Sequence, residues 1–471
     1  MSHAYDVVVL GGGTGGYVAA IRGAQLGLKV ALVERDRVGG TCLHRGCIPT
    51  KSYLRSAELL HAMRRSTEFG IQAEGVSLDF AGVRARTAKV VESLHKGVQG
   101  LLRKNGVTVF HGFGALVPPS IFSPNGLVSV TAGDRQELLE FGKVIIATGS
   151  QPKTLSIPVD GTYVMTSDDA LARPDLPESV LILGAGPIGM EWASLYADFG
   201  VRVTVLEFLD RILPAEDDEV AAELHRLMTR REVAIVTGAR VEPGSVRVEG
   251  GRVRLQARVG EEVREFTAAA LLLAVGREPV TRGFGLENRE QVEYDRAGFI
   301  QVDGFGRTGD PAIYAIGDVA GGGLAHVAAH QGVIAMEHIA GRSPEPFAPE
   351  RVPRCVYTRP EVASVGYTES QARALGYPVR VGKFPWRGIG KALVEGSVDG
   401  FAKIVADART GDVLGVHVIG PEATNLIAEA GLAMLLNATA WEVGQVLRPH
   451  PALAEIFGEA AMAVEGRAIH L

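Results

Sequence analysis

Cysteine is scarce in this chain: three among 471 residues, two of them five positions apart. That excludes the disulfide-dense scaffolds of small secreted proteins, and one close pair in an intracellular chain points to redox or metal chemistry. An excess of positive charge is lacking too. The net charge of −6 offers no basic footprint for nucleic acid and no cationic stripe for an anionic membrane. No apolar run reaches the ~20 residues that span a bilayer. Nor is a targeting segment expected, because Asp6-Val7-Val8-Val9-Leu10 leads straight into glycines and reads as a strand. The expectation is a cytoplasmic chain that binds neither nucleic acid nor membrane. With 46% hydrophobic and 22% charged residues it can bury large cores. Its length suits about three domains of ~150 residues.

What the chain does contain is a repeat. Asp6–Leu10 enters Gly11-x-Gly13-x-x-Gly16, followed by a helical stretch and the strand-like Lys29–Glu34. Ser179–Leu183 enters Gly184-x-Gly186-x-x-Gly189, followed by a helical stretch and Arg202–Glu207. In both copies the acid, Glu34 or Glu207, stands 18 positions after the third glycine, and the unit recurs at an offset of 173. One such fingerprint is weak evidence, since glycines also mark turns. Two of them, each between strand and helix and each with its carboxylate, imply two bound dinucleotides. Glycine permits a tight turn and close backbone approach, the helix N-terminus faces a pyrophosphate, and the carboxylate accepts hydrogen bonds from an adenosine ribose. Each copy closes with an apolar strand ending in glycine, Val144–Gly149 and Leu271–Gly276. From acid to closing glycine is 115 residues in the first copy and 69 in the second, and both paired cysteines lie in the longer segment. They therefore accompany the first dinucleotide.

The chemical centre is Gly39-Gly40-Thr41-Cys42-Leu43-His44-Arg45-Gly46-Cys47-Ile48-Pro49-Thr50-Lys51. Leu54, Ala57 and Leu60 recur three apart, which predicts a helix from near Pro49. Cys47 then sits at or just before a helix N-terminus, where the dipole favours a thiolate and lowers its pKa from ~8.5. Glycines before and between the cysteines supply the bends that bring their Cα atoms within ~4.4–6.8 Å. Two structural cysteines need no such context, and zinc wants four ligands where no second close pair exists, so no metal site is expected. These residues point to a redox disulfide. Cys355, in the strand-like Val352–Tyr357, reads as core packing. Proline-containing stretches near Gln151–Pro158, Ala172–Pro177 and Arg342–Pro353 separate the parts. The last part has strand-like runs, then helical ones at Asn425–Asn437 and Ala452–Val464, and reads as α+β.

Taken together, the chain resembles the flavin-dependent pyridine nucleotide–disulfide oxidoreductases, and within them the dihydrolipoyl dehydrogenases. The similarity runs over essentially the whole length. Its motifs are the first glycine fingerprint, Gly40-Thr41-Cys42 with Gly46-Cys47-Ile48-Pro49-Thr50-Lys51, Ala147-Thr148-Gly149, Ala274-Val275-Gly276-Arg277, Ala315-Ile316-Gly317-Asp318 and His450-Pro451-x-Leu453-x-Glu455. The resemblance implies an α/β fold: two Rossmann-like dinucleotide-binding domains plus a C-terminal α+β dimerisation domain. The boundaries would be 1–150 for FAD, 151–280 for NAD, 281–350 for a central segment completing the FAD site, and 351–471 for the dimer interface. FAD would be held by Gly11, Gly13, Gly16, Glu34, Thr148, Gly149 and Ala325, with Asp318 on its ribitol chain. NAD would be held by Gly184, Gly186, Gly189, Glu207 and Gly276. Cys47, nearer the flavin, would form a charge-transfer thiolate and Cys42 would exchange with substrate. Lys51, paired to Glu191, would sit beside the flavin nitrogen that accepts hydride.

The arginines that select NADP in glutathione reductase are not expected after a strand ending in Glu207, although Arg211 follows it. The C-terminal cysteine pair of mercuric reductase is lacking as well. Dihydrolipoamide is therefore the expected substrate. It would be carried by the lipoyl domain of a 2-oxo acid dehydrogenase or glycine cleavage complex, since no lipoyl-like domain precedes the flavin fold. Oxidising a dithiol needs a base. From the residues alone, His450 is either that base, oriented by Glu455, or a cap on the terminal helix. The resemblance selects the base and places it on the opposite subunit of a homodimer from Cys42. A subunit with mainly a binding role is the other class considered, and intact Cys42, Cys47, His450 and Glu455 argue against it. Three departures from the family pattern stand out. His44-Arg45 replaces a common Asn-Val, and its cation is expected to stabilise the thiolate further. Thr14 replaces a common proline at a position expected to be tolerant. Gln331 replaces a glutamate, and the sequence alone gives no account of its effect.

Overall fold

The computed structural model describes residues 3–121 and 123–471. They form two compact units, one of residues up to 53, 81–153 and 276–348, the other of residues 54–80, 154–275 and 349–471.

The first unit is built on a seven-stranded sheet. Thr108–His111, Val30–Glu34, His3–Leu10 and Arg135–Ile146 lie side by side in parallel. Leu127–Ala132 and Phe113–Val117 continue the sheet antiparallel, and Ile313–Ala315 joins Arg135–Ile146 in parallel. Val7, Val8, Val9, Ala31 and Leu32 are fully buried, which is why these strands read as unbroken apolar runs rather than as alternations. Two helices cross on one face with their backbones nearly touching. A Cβ on Gly15 of Thr14–Gln25 would lie 3.0 Å from Ala328 O, and one on Gly332 of Ala325–Ile339 would lie 2.8 Å from Gly15 O. The extra length of the first copy is helical: Gly40–Arg45, Cys47–Arg64 and the 25-residue Phe80–Lys104. The second copy has Asp218–Arg230 at the corresponding stage.

The second unit repeats the parallel core in the order Ala234–Val236, Arg202–Leu206, Ser179–Leu183, Ala270–Leu273, Val164–Met165. A small antiparallel sheet around Arg252–Val259 flanks it. Its C-terminal part is a five-stranded antiparallel sheet ordered Arg354–Val356, Glu361–Gly366, Val413–Gly420, Phe401–Asp407, Val379–Pro385. Cys355 lies on the first of these strands, half-buried against that core, as expected of a packing residue. The helix expected from Ala452 begins at Glu455, because the Glu455 carboxylate accepts the Ala452 N–H at 2.8 Å and closes a turn ahead of it. The helix Ala440–Gln445 escaped notice through its shortness, although its Thr439–Glu442 capping box was legible. Among the described residues no helix is long and apolar enough to cross a membrane.

A charged knot ties the helix Asp218–Arg230 to the C-terminal sheet. The Lys403 side chain is only 3% exposed, yet its Nζ lies 3.1 Å from Asp217, 2.8 Å from Glu219 and 2.9 Å from Glu369. Asp217 also caps the helix by accepting the Glu219 N–H. Burial works against the Lys403 charge, but its hydrogen bonds to Glu219, Glu369 and Asp217 prevail and push its pKa up to about 12. Lys403 holds Glu369 below the ordinary carboxylate range, and against burial the two lysines Lys383 and Lys403 hold Glu219 there too. Lys403→Met should therefore cost about 3–5 kcal/mol, since it leaves the buried Asp217 carboxylate without its cation. In denaturant titrations of the intact protein the deficit should be full between pH 4.5, the ordinary glutamate value, and pH 10.5, the ordinary lysine value. It should shrink as acid protonates the depressed Glu219 and Glu369, and as pH rises through about 12. A deficit that is negligible or independent of pH would show that the knot contributes nothing.

Candidate active site

The first fingerprint begins where the strand His3–Leu10 ends. Gly11 adopts φ +104°, and a Cβ on Gly16 would lie 1.8 Å from Gly11 O. Only glycine lets the helix Thr14–Gln25 start so near the strand. The second copy repeats this detail, with Gly184 at φ +103° and a Gly189 Cβ 1.9 Å from Gly184 O. The middle glycines differ from these. Gly13 and Gly186 face open space where a Cβ would point, and neither helix has a side-chain cap. Bare backbone beside uncapped N–H groups suits a pyrophosphate, so both loops fit a dinucleotide.

The two acids do more than their spacing suggested. Glu34 accepts the Gly12 N–H at 2.7 Å and the Asp36 N–H at 2.8 Å. Glu207 accepts those of Ala185 at 2.5 Å and Leu209 at 2.8 Å. Each carboxylate braces its own glycine loop and keeps lone pairs for ribose hydroxyls. Arg211 is not poised to take up a phosphate. It pairs with Asp218 and donates to Pro214 O at 2.6 Å.

Around the first loop, Thr148 Oγ1 donates to Val280 O at 2.7 Å, and Gly149 O accepts the Val280 N–H at 3.0 Å. Asp318, in the turn Gly317–Ala320, accepts the Ser150 hydroxyl at 2.6 Å. Arg277 donates to Ser150 Oγ and Ser150 O, each at 2.7 Å, and lies 3.9 Å from Asp318. Ser150 went unnoticed in the sequence, whereas Arg277 stood in a quoted motif without a role. Gly276 O accepts the Lys153 N–H at 3.0 Å. Ala325 opens its helix without a side-chain cap. Gln331 now has an explanation: its Oε1 accepts the Gly317 N–H at 2.8 Å, a contact an amide oxygen makes without a carboxylate's charge.

The cysteines occupy successive helices. Cys42 is in Gly40–Arg45, Cys47 is the first residue of Cys47–Arg64, and Gly46 at φ −144° and ψ −111° breaks the chain between them. A Cβ on Gly46 would lie 3.0 Å from Thr41 O. Both are half-buried thiols, hydrogen-bonded to one another. That bond, then burial and the Cys47 charge, push the Cys42 pKa up, while the Thr14 hydroxyl and the Lys51 cation pull it down. Cys47, at the positive end of the helix dipole, thus takes the negative charge first.

One expectation about this loop needs correction. His44 turns back to Val38 O at 2.9 Å, and burial holds its pKa down, so it is not the expected cation. Arg45 pairs with Asp36 at 3.2 Å. The charge acting on Cys42 comes from Lys51. The Thr14 hydroxyl adds to this pull on Cys42.

In the second unit Glu191 is buried on Pro187–Asp198 and accepts the Tyr357 N–H at 3.0 Å. His450 Nδ1 lies 2.9 Å from Glu455 Oε1. Burial pushes Glu455 up, but the Ala452 N–H and His450 outweigh it and keep the carboxyl below its ordinary range. A carboxylate at Nδ1 fixes the proton there and leaves Nε2 as the basic nitrogen. His470 was passed over in the sequence. It makes a second imidazole–carboxylate pair with Glu459 at 2.7 Å, one turn further along the same helix. Leu432, Leu435, Leu436, Trp441 and Leu447 remain exposed on the C-terminal helices and the segment after them.

Residues 5–332 match the family model described as pyridine nucleotide-disulphide oxidoreductase, and residues 352–461 match the dimerisation domain of that family. The chain belongs to this family. It is 51% identical to the dihydrolipoyl dehydrogenase of Bacillus subtilis, with 100% of each chain covered. It is 43% identical to that of Zymomonas mobilis, again with 100% of each covered. Among solved structures, LpdA of Mycobacterium tuberculosis superposes with a TM-score of 0.89 at 31% identity, covering 98% of this chain and 99% of that one. The HOCl-induced flavoprotein disulfide reductase RclA of Escherichia coli gives 0.84 at 26% identity, covering 97% and 99%. The chain is thus an oxidoreductase that uses FAD and NAD, and the exposed leucines suit its dimerisation domain.

Cofactor choice follows from Glu207 and the tethered Arg211. NAD should be preferred, because a 2′-phosphate would meet Glu207 as a like charge at a cost of roughly several kcal/mol. Glu207→Ala should narrow the gap in kcat/KM while lowering efficiency with NAD, since the Ala185 N–H loses its acceptor. Asp218→Ala, which releases Arg211, should raise NADP use more than NAD use. An unchanged cofactor ratio in both variants would contradict this account.

Proposed function

We propose that this chain is an NAD-dependent dihydrolipoyl dehydrogenase, reoxidising dihydrolipoamide carried on the lipoyl domain of a 2-oxo acid dehydrogenase or glycine cleavage complex. Its expected compartment is the cytoplasm. Full-length identity of 51% with a dihydrolipoyl dehydrogenase carries the assignment. The hydrogen-bonded cysteine pair at the head of a helix supplies chemistry of the right kind.

His450 Nε2 removes a proton from a substrate thiol, while Glu455 orients the ring and offsets its growing charge. The resulting thiolate attacks Cys42 Sγ of the oxidised pair. The Cys42–Cys47 bond breaks with its electrons going to Cys47, where the helix N-terminus favours the thiolate. The second lipoyl sulfur, once deprotonated, attacks its partner in the mixed disulfide, forms the lipoyl S–S bond and expels Cys42 as a thiolate. Substrate has lost two electrons and two protons, and the cysteine pair has gained the electrons. Bound FAD would supply the two-electron carrier between the dithiol and NAD. For this chain's own residues, Gly11, Gly13, Gly16 and Glu34 shape the flavin loop, and Thr148, Gly149, Asp318 and Ala325 line its continuation. Gly184, Gly186, Gly189, Glu207 and Gly276 serve NAD. Lys51, by family resemblance, would be paired to Glu191. By family resemblance, His450 of one subunit serves Cys42 of the other in a homodimer.

Dihydrolipoamide-dependent reduction of NAD by purified protein tests the assignment, and absence of turnover in FAD-loaded protein would overturn it. The cysteines should also separate spectroscopically. Cys42→Ser leaves a Cys47 thiolate against oxidised flavin and should show a long-wavelength charge-transfer band, which Cys47→Ser should lack. Identical spectra would contradict the roles given. His450→Gln should lose about 10²–10⁴-fold in lipoamide turnover. Flavin reduction by NADH should largely survive. Mixed with Cys42→Ser under subunit exchange, it should regain activity in heterodimers. Verified heterodimers that stay inactive would place the base and Cys42 in one chain.

A further inference from the structure

Thr14 occupies a position where this chain supplies its own comparison. The repeat offset of 173 aligns it with Pro187, the first residue of the equivalent helix in the second copy. Both helices start from an extended glycine, Gly13 at ψ −175° and Gly186 at ψ −176°. The backbone setting therefore takes proline, which is well suited to a first helical position. Threonine appears in the copy that adjoins the cysteines. There the glycine loop and the cysteine loop are seamed together: the Gly39 N–H donates to Gly12 O at 2.7 Å, Gly13 bridges Gly39, and a Cβ on Gly40 would lie 2.6 Å from Gly13 Cα. The seam brings the start of the helix onto Cys42. The Thr14 hydroxyl draws the Cys42 pKa down, and burial, followed by the Cys42 charge, raises that of Tyr17 one turn later.

We propose that Thr14 is the hydrogen-bond donor to the Cys42 thiolate, a contact for which the second copy, with no cysteine to serve, has proline. The proposal rests on Cys42 being the interchange thiol. When the second lipoyl sulfur closes the lipoyl disulfide, the S–S bond to Cys42 breaks and its electron pair leaves on Cys42 Sγ. A thiolate of lower pKa leaves faster. The neighbouring Cys47 anion and burial oppose that charge, so an oriented hydroxyl is the short-range group that eases departure, with Lys51 adding attraction at longer range.

The test uses FAD-loaded protein and three substitutions. Thr14→Val removes the hydroxyl at constant shape, Thr14→Pro installs the residue that the second copy already accommodates, and Thr14→Ser restores the donor. Reduced proteins are alkylated with iodoacetamide across pH, and labelling of Cys42 is followed by peptide mass spectrometry. The Val and Pro variants should shift the Cys42 labelling curve up by about one pH unit, the effect of losing a charge-assisted hydrogen bond. They should also turn over dihydrolipoamide roughly tenfold more slowly, and Ser should return both to the parent values. Labelling curves for Val and Pro that overlay the parent's, or a Ser variant that behaves like Val, would overturn the proposal. Labelling is read without lipoamide, so a chain that fails to oxidise dihydrolipoamide yet shows the shift would refute the proposed substrate and leave the Thr14 contact standing.

Discussion

The seam between Gly12-Gly13 and Gly39-Gly40 is the constraint on which the first unit depends. At that place one stretch of main chain lies on another with no side chain between them, at distances a single methyl group would make impossible. A dinucleotide loop must let a pyrophosphate approach its backbone, and a disulfide that exchanges electrons with that dinucleotide must sit within a few ångströms of it. Joining the two loops by glycines meets both demands at once. The interior of a protein resists small displacements because it is close-packed, so the thiols inherit the rigidity of the parallel sheet through this contact.

Much of the molecule was legible in the sequence, for physical reasons that differ from part to part. Residues 7–10 and 180–183 are apolar and buried on both faces, and an all-apolar run leading into glycines has few other interpretations. The fingerprints were legible because each glycine answers a steric demand no other residue meets. What escaped were hydrogen bonds between residues far apart in sequence. Ser150 reaches Asp318 across 168 positions, and nothing in the local sequence marks a serine as a second support for an acid. His44 and Arg45 were misjudged because charge was inferred from residue type. Their directions are set by Val38 O and Asp36, and a cation turned aside does little for a neighbouring sulfur. Gln331 could not be understood before its donor, Gly317 N–H, was known.

The two copies also show how one unit came to do two jobs. Their glycine geometry agrees closely, and both acids brace their loops through the same pair of backbone N–H groups. The differences lie in what was inserted between acid and closing strand. The first copy spends that length on helices that carry the cysteines; the second keeps it short.

The Lys403 knot has a consequence for heat. Stripping water from charges becomes less costly as temperature rises, because their hydration is entropically unfavourable, whereas the gain from burying apolar surface levels off. A lysine enclosed by Asp217, Glu219 and Glu369 therefore contributes relatively more in a warm cell than in a cool one. The attachment of the helix Asp218–Arg230 to the C-terminal sheet should be among the last to loosen on warming, and contacts that depend on oily surface alone should yield before it.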